Sequence, residues 1–296
     1  MKLSLITRRA VTFLLAVALI CTLCLYGCSE KKSTVLISGM AEGNTIIPSL
    51  NTDIDLSAKI QELNAEKKYE YVLDNEVFYG EYSGTLVSPY YNCDADMYIA
   101  SGDNGKEIEF FVNRNHNKVV VYTIAYRNGY TTTQDKSYEE CFQIANNKLS
   151  EFDDGNFEQV FKETHLKALH IPECGNTYSY YFRKMIDEKE TNIIVQIDVN
   201  TDGLVVLVNA SSIFEFDGND ESVIRAASKN VENLLEKVKK RLLSEVKNGN
   251  KENISFAIQR SSFCKLKDGN IYVLCEVEIR TVDTHKVDYV QVLVSV

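Results

Sequence analysis

The order of hydrophobic patterns along the chain is the feature that most constrains its fold. Ser137 and Glu140 form a capping-box pattern, which predicts the start of a helix. Apolar residues then recur at helical spacing, at Tyr138, Cys141, Phe142, Ala145, Leu149 and Phe152. Three strand-like runs follow at 177–184, 192–199 and 204–210, with turn chemistry at 200–203 between the last two. This order predicts a helix that packs on an antiparallel meander.

The same order returns at the end of the chain. A longer helix is predicted over 221–248, with Asp220 placed to cap its start and Gly249 to end it. Its apolar stripe consists of Ile224, Ala227, Val231, Leu234, Leu235, Val238, Leu242 and Val246. Strand-like runs at 254–266, 271–279 and 287–294 complete the chain.

The first part of the body is mostly β-prone. Leu56, Ile60 and Leu63 have helical spacing and predict one short helix, and short β-prone runs separated by turn-prone groups follow up to residue 127. A weaker helical pattern occupies 157–169. We therefore predict an α+β fold class, built from helix-plus-antiparallel-sheet modules at 54–136, 137–216 and 217–296.

The middle module carries a family resemblance. It ends in Val-x-Ile-Asp-x-Asn-Thr-Asp-Gly-x-Val, which resembles the strand, Asp-x-x-Thr-Gly-type turn and valine strand of the PepSY family, although the turn here reads NTDG. The resemblance covers about a quarter of the chain, residues 137–210. It implies PepSY- or cystatin-like packing of a helix on a meander, and a non-catalytic binding or inhibitory role. An unrelated helix-on-sheet fold that uses a common hairpin is the alternative.

The N terminus has the organisation of an export signal. Residues 1–9 are basic and contain no acid, and Ala10 to Tyr26 is an uncharged apolar run of 17 residues. Leu25-Tyr26-Gly27-Cys28-Ser29 resembles the lipobox of bacterial lipoproteins, although Tyr26 is larger than the residue usual there. The resemblance implies a signal peptide over 1–27 and a lipid on the sulfur of Cys28. The bilayer is then a partner, at the extracytoplasmic face of the cell membrane.

Two alternatives also place the body outside the cytosol: an uncleaved membrane anchor, and an ordinary secretory signal cut nearby. We interpret residues 28–53, which have no sustained period, as a flexible tether. Removal of 1–27 leaves 29 basic against 42 acidic residues, a formal charge of −13. So acidic a body repels polyphosphate, and no nucleic-acid partner is expected.

One segment matches the opening of a calcium-binding loop. In Asp198-Val-Asn200-Thr-Asp202-Gly203, the alternate oxygens of Asp198, Asn200 and Asp202 would point at one ion. The twelfth position is Asn209 rather than glutamate, and both flanks have strand patterns. We interpret the segment as a polar hairpin turn, with calcium as the alternative. The familiar hydrolase, phosphate-loop, zinc-protease and dinucleotide motifs do not occur, and no cofactor is predicted.

The cysteines beyond the lipobox leave one question open. They are Cys93, Cys141, Cys174, Cys264 and Cys275, and they contain no C-x-x-C pair that would favour a zinc or thioredoxin-like centre. A Gly269-Asn270 hairpin loop would place Cys264 directly opposite Cys275, whereas an Asp268-Gly269 loop would offset them by one pair. A cross-strand disulfide and two buried thiols are both compatible with the sequence.

The remaining candidates favour no reaction. The four histidines, His116, His165, His170 and His285, lack the spacing of metal ligands. We interpret the basic run 237–241 as the solvated side of an amphipathic helix, with anionic lipid or cell-wall polymer as its alternative contact.

We therefore predict a lipid-anchored protein that is not an enzyme. It would be a non-catalytic binding or regulatory module for a protein or peptide at the cell surface. A cell-envelope hydrolase that uses acidic residues in a cleft between modules is the alternative function, and a purely structural surface protein is a third.

Overall fold

The structure is a computed structural model that describes residues 35–39, 59–61, 67–88, 93–152, 156–162, 166–245, 254–281 and 286–296. Fifteen strands and three α-helices lie in these residues. The strands are β1 (Val35–Gly39), β2 (Lys59–Gln61), β3 (Lys68–Leu73), β4 (Glu76–Val87), β5 (Ala95–Ser101), β6 (Lys106–Asn113), β7 (Lys118–Tyr126), β8 (Phe157–Val160), β9 (Leu169–Ile171), β10 (Gly175–Ile186), β11 (Lys189–Asn200), β12 (Val205–Asn209), β13 (Ile254–Lys265), β14 (Ile271–Thr281) and β15 (Lys286–Ser295). The helices are α1 (Tyr138–Leu149), α2 (Gly218–Ser228) and α3 (Val231–Glu245).

A large antiparallel sheet contains β2 to β12. Its central order is β4-β5-β6-β7-β12-β11-β10, with β3 paired to β4, and β8 and β9 paired to β10. Pairing aligns one row of large side chains across six strands: Tyr98, Phe110, Tyr122, Val208, Ile197 and Tyr180. Helix α1 covers the β10 and β11 end of this face with its buried Cys141, Ala145 and Leu149.

A small sheet has the order β1-β15-β14-β13 and joins the large one through β13 and β11, which pair in parallel at Thr191 and Phe263. Side chains alternate between its faces. The side chains on one face, among them Phe263, Val273 and Cys275, pack with the buried residues of α2 and α3. The side chains on the other face belong to the core of the large sheet; they include Cys264, Leu266, Tyr272, Leu274 and Leu293.

The two sheets lie between helices. Arg183 of β10 alternates with Tyr180 and Phe182, the two residues that contact Phe142 of α1, and it therefore points to the opposite face of the large sheet. On that face it shares Glu190 with Arg260 of the small sheet. The layers are therefore α1, the large sheet, the small sheet, and α2 with α3.

The predicted fold class is wrong. The described residues form a β-rich fold, in which the parallel β11–β13 pair joins the large and the small sheet into one large mixed sheet, rather than α+β modules that each carry a helix on a meander. The physical reason is the pairing of β12 with β7, which merges the strands of 54–136 and 137–216 into one sheet. Pairing between strands distant in sequence decides this arrangement, and local periodicity carries no information about it.

Three predicted helices are also corrected. Of the short helix predicted on Leu56, Ile60 and Leu63, Lys59–Gln61 is strand β2, which pairs with β4, whereas Leu56 and Leu63 lie outside the described residues. In the pattern at 157–169, the described residues yield the edge strands β8 and β9. The helix predicted over 221–248 is two helices, α2 and α3, separated at Lys229 and Asn230; residues 246–248 lie outside the described ranges. The cap of α2 is Asp217 rather than the predicted Asp220, and the two form a capping box.

Several local predictions are confirmed. Ser137 and Glu140 form the capping box that starts α1. The turn at 200–203 joins β11 to β12, and the six strands predicted after residue 176 are β10 to β15. Within the predicted tether, however, Val35–Gly39 is strand β1, paired along its length with β15, because its extended backbone completes the edge of the small sheet.

Candidate functional site

The predicted lipid attachment site, Cys28, lies outside the described residues, as do the signal peptide and all of the tether except β1. The first described residue, Val35, pairs with Val294 of β15. Among the helices of the described ranges, none has the length and apolar character to span a membrane.

The polar turn between β11 and β12 is held by hydrogen bonds to residues 130–136, the strap that precedes α1. The carboxylate of Asp202 accepts from the backbone N–H groups of Thr133 and Gln134 and from the Tyr130 hydroxyl, at 2.8 Å for Tyr130. Burial raises the pKa of Asp202, but these hydrogen bonds outweigh it, and the pKa is lowered overall. Asp202 therefore fastens the strap as an ionised carboxylate.

The other two calcium candidates have different neighbours. Asn200 accepts from the N–H of Leu204 and donates to the carbonyl of Cys174, whereas Asp198 accepts from the Gln196 amide. The structure therefore does not bring the three oxygens together around one point. The described part of the chain contains no group of three or more His, Cys, Asp or Glu placed to hold a metal ion.

The five cysteines after the lipobox are buried, and none forms a disulfide. The hairpin between β13 and β14 has a three-residue loop at 267–269, longer than the Gly269-Asn270 and Asp268-Gly269 loops predicted from the sequence. Leu266 and Asn270 pair across it, and Gly269 has a φ of 81°. Cys264 consequently lies opposite Tyr272, and Cys275 lies opposite Ser261. Cys264 and Cys275 therefore face opposite sides of the small sheet, which excludes the possible disulfide between them.

The seam, where the two sheets meet at β11 and β13, contains a partly buried ion cluster. Glu190 of β11 accepts from Arg183 Nη1 at 2.6 Å and also from Arg260 Nε. Glu276, the cross-strand neighbour of Arg260, adds a second negative charge near Arg183. The Arg183 side chain is only 5% exposed, and burial, with repulsion from Arg260, lowers its pKa to about 10. Two arginines and two glutamates thus compensate each other at the seam.

A second buried carboxyl also connects the sheets. Glu215, on the segment between β12 and α2, accepts from the N–H of Lys265 in β13 at 2.6 Å and from the amide of Asn192 in β11 at 3.0 Å. Burial raises the pKa of Glu215 to about 8. The Asn192 Oδ1 atom is buried and accepts no hydrogen bond.

Two further acids with raised pKa values share the face of the large sheet opposite α1. Burial raises the pKa of Glu109 to about 7 and that of Asp198 to about 6. Register places Thr123 and Leu207 between them, so three strand spacings separate them, about 14 Å. Paired catalytic carboxyls in glycosidases are about 5 to 9.5 Å apart. The geometry of this pair therefore does not favour the hydrolase alternative.

The histidines have ordinary packing contacts where they are described. The ring of His116 stacks on Phe214 at 4.1 Å between centroids, and His170 Nδ1 lies 3.1 Å from Asn176 Oδ1. His165 and His285 lie outside the described residues. In the basic run, Lys239 pairs with Glu236 one turn away on α3, as expected for a solvated helix face.

An apolar groove of about 550 Å³ lies at the start of α3, beside the C terminus. Its apolar lining consists of Val223, Ala226, Ala227, Leu234 and Val296, and its polar lining of Ser222 and Asn230. Val223 and Val296 are each 44% exposed. Val223 was detectable in the sequence as an apolar residue next to the helix stripe, whereas Glu190 and Glu215 are indistinguishable there from the other acids.

Comparisons with known proteins returned no match: no protein-family model, no curated protein and no solved structure is similar to this chain.

Proposed function

We propose that the protein is a lipid-anchored extracytoplasmic lipoprotein that acts as a non-catalytic binding or regulatory module at the cell surface. The observation that carries the proposal is the lipobox-like pattern at Gly27-Cys28, directly after a basic segment and an uncharged apolar run. A thiol is the side chain at that position able to form the thioether to a diacylglycerol.

The contacts of three acidic residues, Glu190, Glu215 and Asp202, support the non-catalytic part of the proposal. Glu190 is neutralised by two arginines, Glu215 is enclosed by two donors, and Asp202 is fastened to the strap. General acid–base catalysis requires a titrating group within hydrogen-bond reach of a substrate atom. These carboxyls instead hold elements of the fold together.

The anchor is tested by the Cys28→Ser variant of the full chain. We expect the wild-type protein in the membrane fraction with an acyl mass on residue 28, and the variant without that mass. Cys24→Ser, within the apolar run, is the matched control and should leave the acyl mass in place. An intact Met1 start without acylation in wild-type protein would overturn the proposal.

The binding role is tested by crosslinking on intact cells followed by isolation of the wild-type protein and of the Cys28→Ser variant. We expect a protein or peptide that is captured reproducibly by the anchored form alone. Turnover of a wall or peptide substrate by purified wild-type protein would instead favour the hydrolase.

A further inference from the structure

The groove lies at the end of the molecule nearest to the anchor. Val35, the first residue of β1, lies opposite Val294, and Val296, two residues further on, lines the groove. The N–H of Val296 also donates to the carbonyl of Ile271, at 3.1 Å, which fixes the C terminus to β14. The N-terminal end of β1 and the groove therefore share one end of the small sheet.

The length of chain before β1 limits how far the bilayer can be from this end. Cys28 precedes Val35 by seven residues, and an extended chain of seven residues spans at most about 25 Å. Lipid on Cys28 thus holds the membrane within about 25 Å of Val35. A linker this short gives the groove an effective concentration toward the surface of about millimolar or more, so weak contacts suffice.

The charge of the two helices also fits a membrane surface. Residues 218–245 contain six basic and five acidic residues, whereas the whole chain after residue 27 carries a formal charge of −13. Anionic headgroups repel the acidic body but not this pair of helices. The groove thus combines exposed apolar side chains with a nearly neutral part of an otherwise acidic body.

We propose that the groove face formed by α2, the start of α3 and Val296 docks on the lipid bilayer and fixes the orientation of the anchored protein. The proposal rests on the lipid anchor at Cys28. Val223 enters the apolar edge of the bilayer, whereas Val296 and the exposed Lys229, directly after α2, remain at the level of the headgroups.

The absence of Trp from the chain makes the test direct, because one introduced Trp is the sole indole emitter. Val223→Trp places it in the groove, and Tyr79→Trp places it on β4, where the native side chain is 67% exposed. The lipidated full chain is reconstituted in phosphatidylcholine and phosphatidylglycerol vesicles whose acyl chains carry bromine, a contact quencher. We expect loss of emission from the Val223→Trp protein and unchanged emission from the Tyr79→Trp protein.

A charge substitution supplies the matched pair. With Ala226→Trp as reporter, at an exposed alanine that lines the groove, Val223→Glu should abolish quenching, because a carboxylate resists transfer into the bilayer. Val72→Glu, at a valine that is 56% exposed on β3, should leave quenching intact. Both positions are exposed, so neither change should prevent folding.

Flotation with the vesicles and the acyl mass on residue 28 separate the two proposals. A chain that is acylated and floats, but whose Val223→Trp emission equals that of Tyr79→Trp, overturns the docking face alone. A chain that is neither acylated nor floating overturns the anchor and the docking face together. If emission is unquenched and Val223→Glu converts a dimer to a monomer in light scattering, the groove receives a second copy, and membrane docking is wrong.

Discussion

The turn at Asp202 and the seam between the sheets use carboxyl groups in opposite ways. At the turn, several donors converge on a carboxylate near solvent, and its pKa is lowered. At the seam, two donors reach Glu215, but its burial raises the pKa to about 8. The comparison teaches that the balance between donors and desolvation, rather than the presence of hydrogen bonds, decides whether an acid in this protein is charged.

The largest expected effect follows from titration of Glu215. Its pKa is about 8 in the folded protein against an ordinary value of 4.5, so the folded state binds more protons between these values. The stability from this group is present below the ordinary pKa and is lost as pH rises through about 8. At about 1.4 kcal/mol per pKa unit, the loss between about pH 5 and about pH 9 is on the order of 4 kcal/mol.

Urea unfolding across this pH range should show that decline in wild type and a flatter curve for Glu215→Gln. The amide stays neutral, and rotation of Asn192 offers its Oδ1, which accepts no hydrogen bond in the structure, to the new NH2 group. Equal pH slopes for the two proteins would show that titration of Glu215 does not cause the decline in stability.

Glu190→Ala should cost about 3 kcal/mol, because it leaves the buried Arg183 beside Arg260 without their shared acceptor. Chemical unfolding at neutral pH measures the change in free energy. Glu236→Ala, which removes the exposed partner of Lys239, is the control and should have no measurable effect. If Glu190→Ala is equally silent, Glu276 alone compensates both arginines.

Asp202→Asn should have the smallest effect, about 1 kcal/mol at neutral pH, because the amide keeps one acceptor and the site is close to solvent. Since the pKa of Asp202 is lowered, its contribution is present above the ordinary pKa of 3.8 and is lost as pH falls through the folded value. Thermal unfolding should therefore distinguish wild type from variant at pH 7 and not in strong acid. A constant difference at every pH would contradict ionisation as the cause.

The local elements were the predictable part of the fold. The capping box at Ser137 and the turn at Asn200 depend on residues within four positions of each other. The strands β8 and β9 could not be predicted, because their pairing with β10 overrides a weak helical spacing. The pairing of Cys264 with Tyr272 depended on loop length, and a shift by one residue moves a side chain to the other face.

The candidate site was less accessible to sequence reasoning than the fold. Glu190 meets Arg260 across 70 positions, and Glu215 meets Lys265 across 50. Nothing near either glutamate in the sequence distinguishes it from the other acids. The groove joins α2 to the last residue of the chain, a contact that exists only after β15 has paired with β14.

By itself, the sequence determined the cap of α1, the β11–β12 turn, the six C-terminal strands and the acidic charge of the body, because each depends on neighbouring residues or on composition. Only the tertiary structure decided that the strands merge into one large mixed sheet, which cysteines share a face, and which acids are charged. These features depend on backbone pairing and on desolvation between segments far apart in the chain, and such energies arise only when the segments meet.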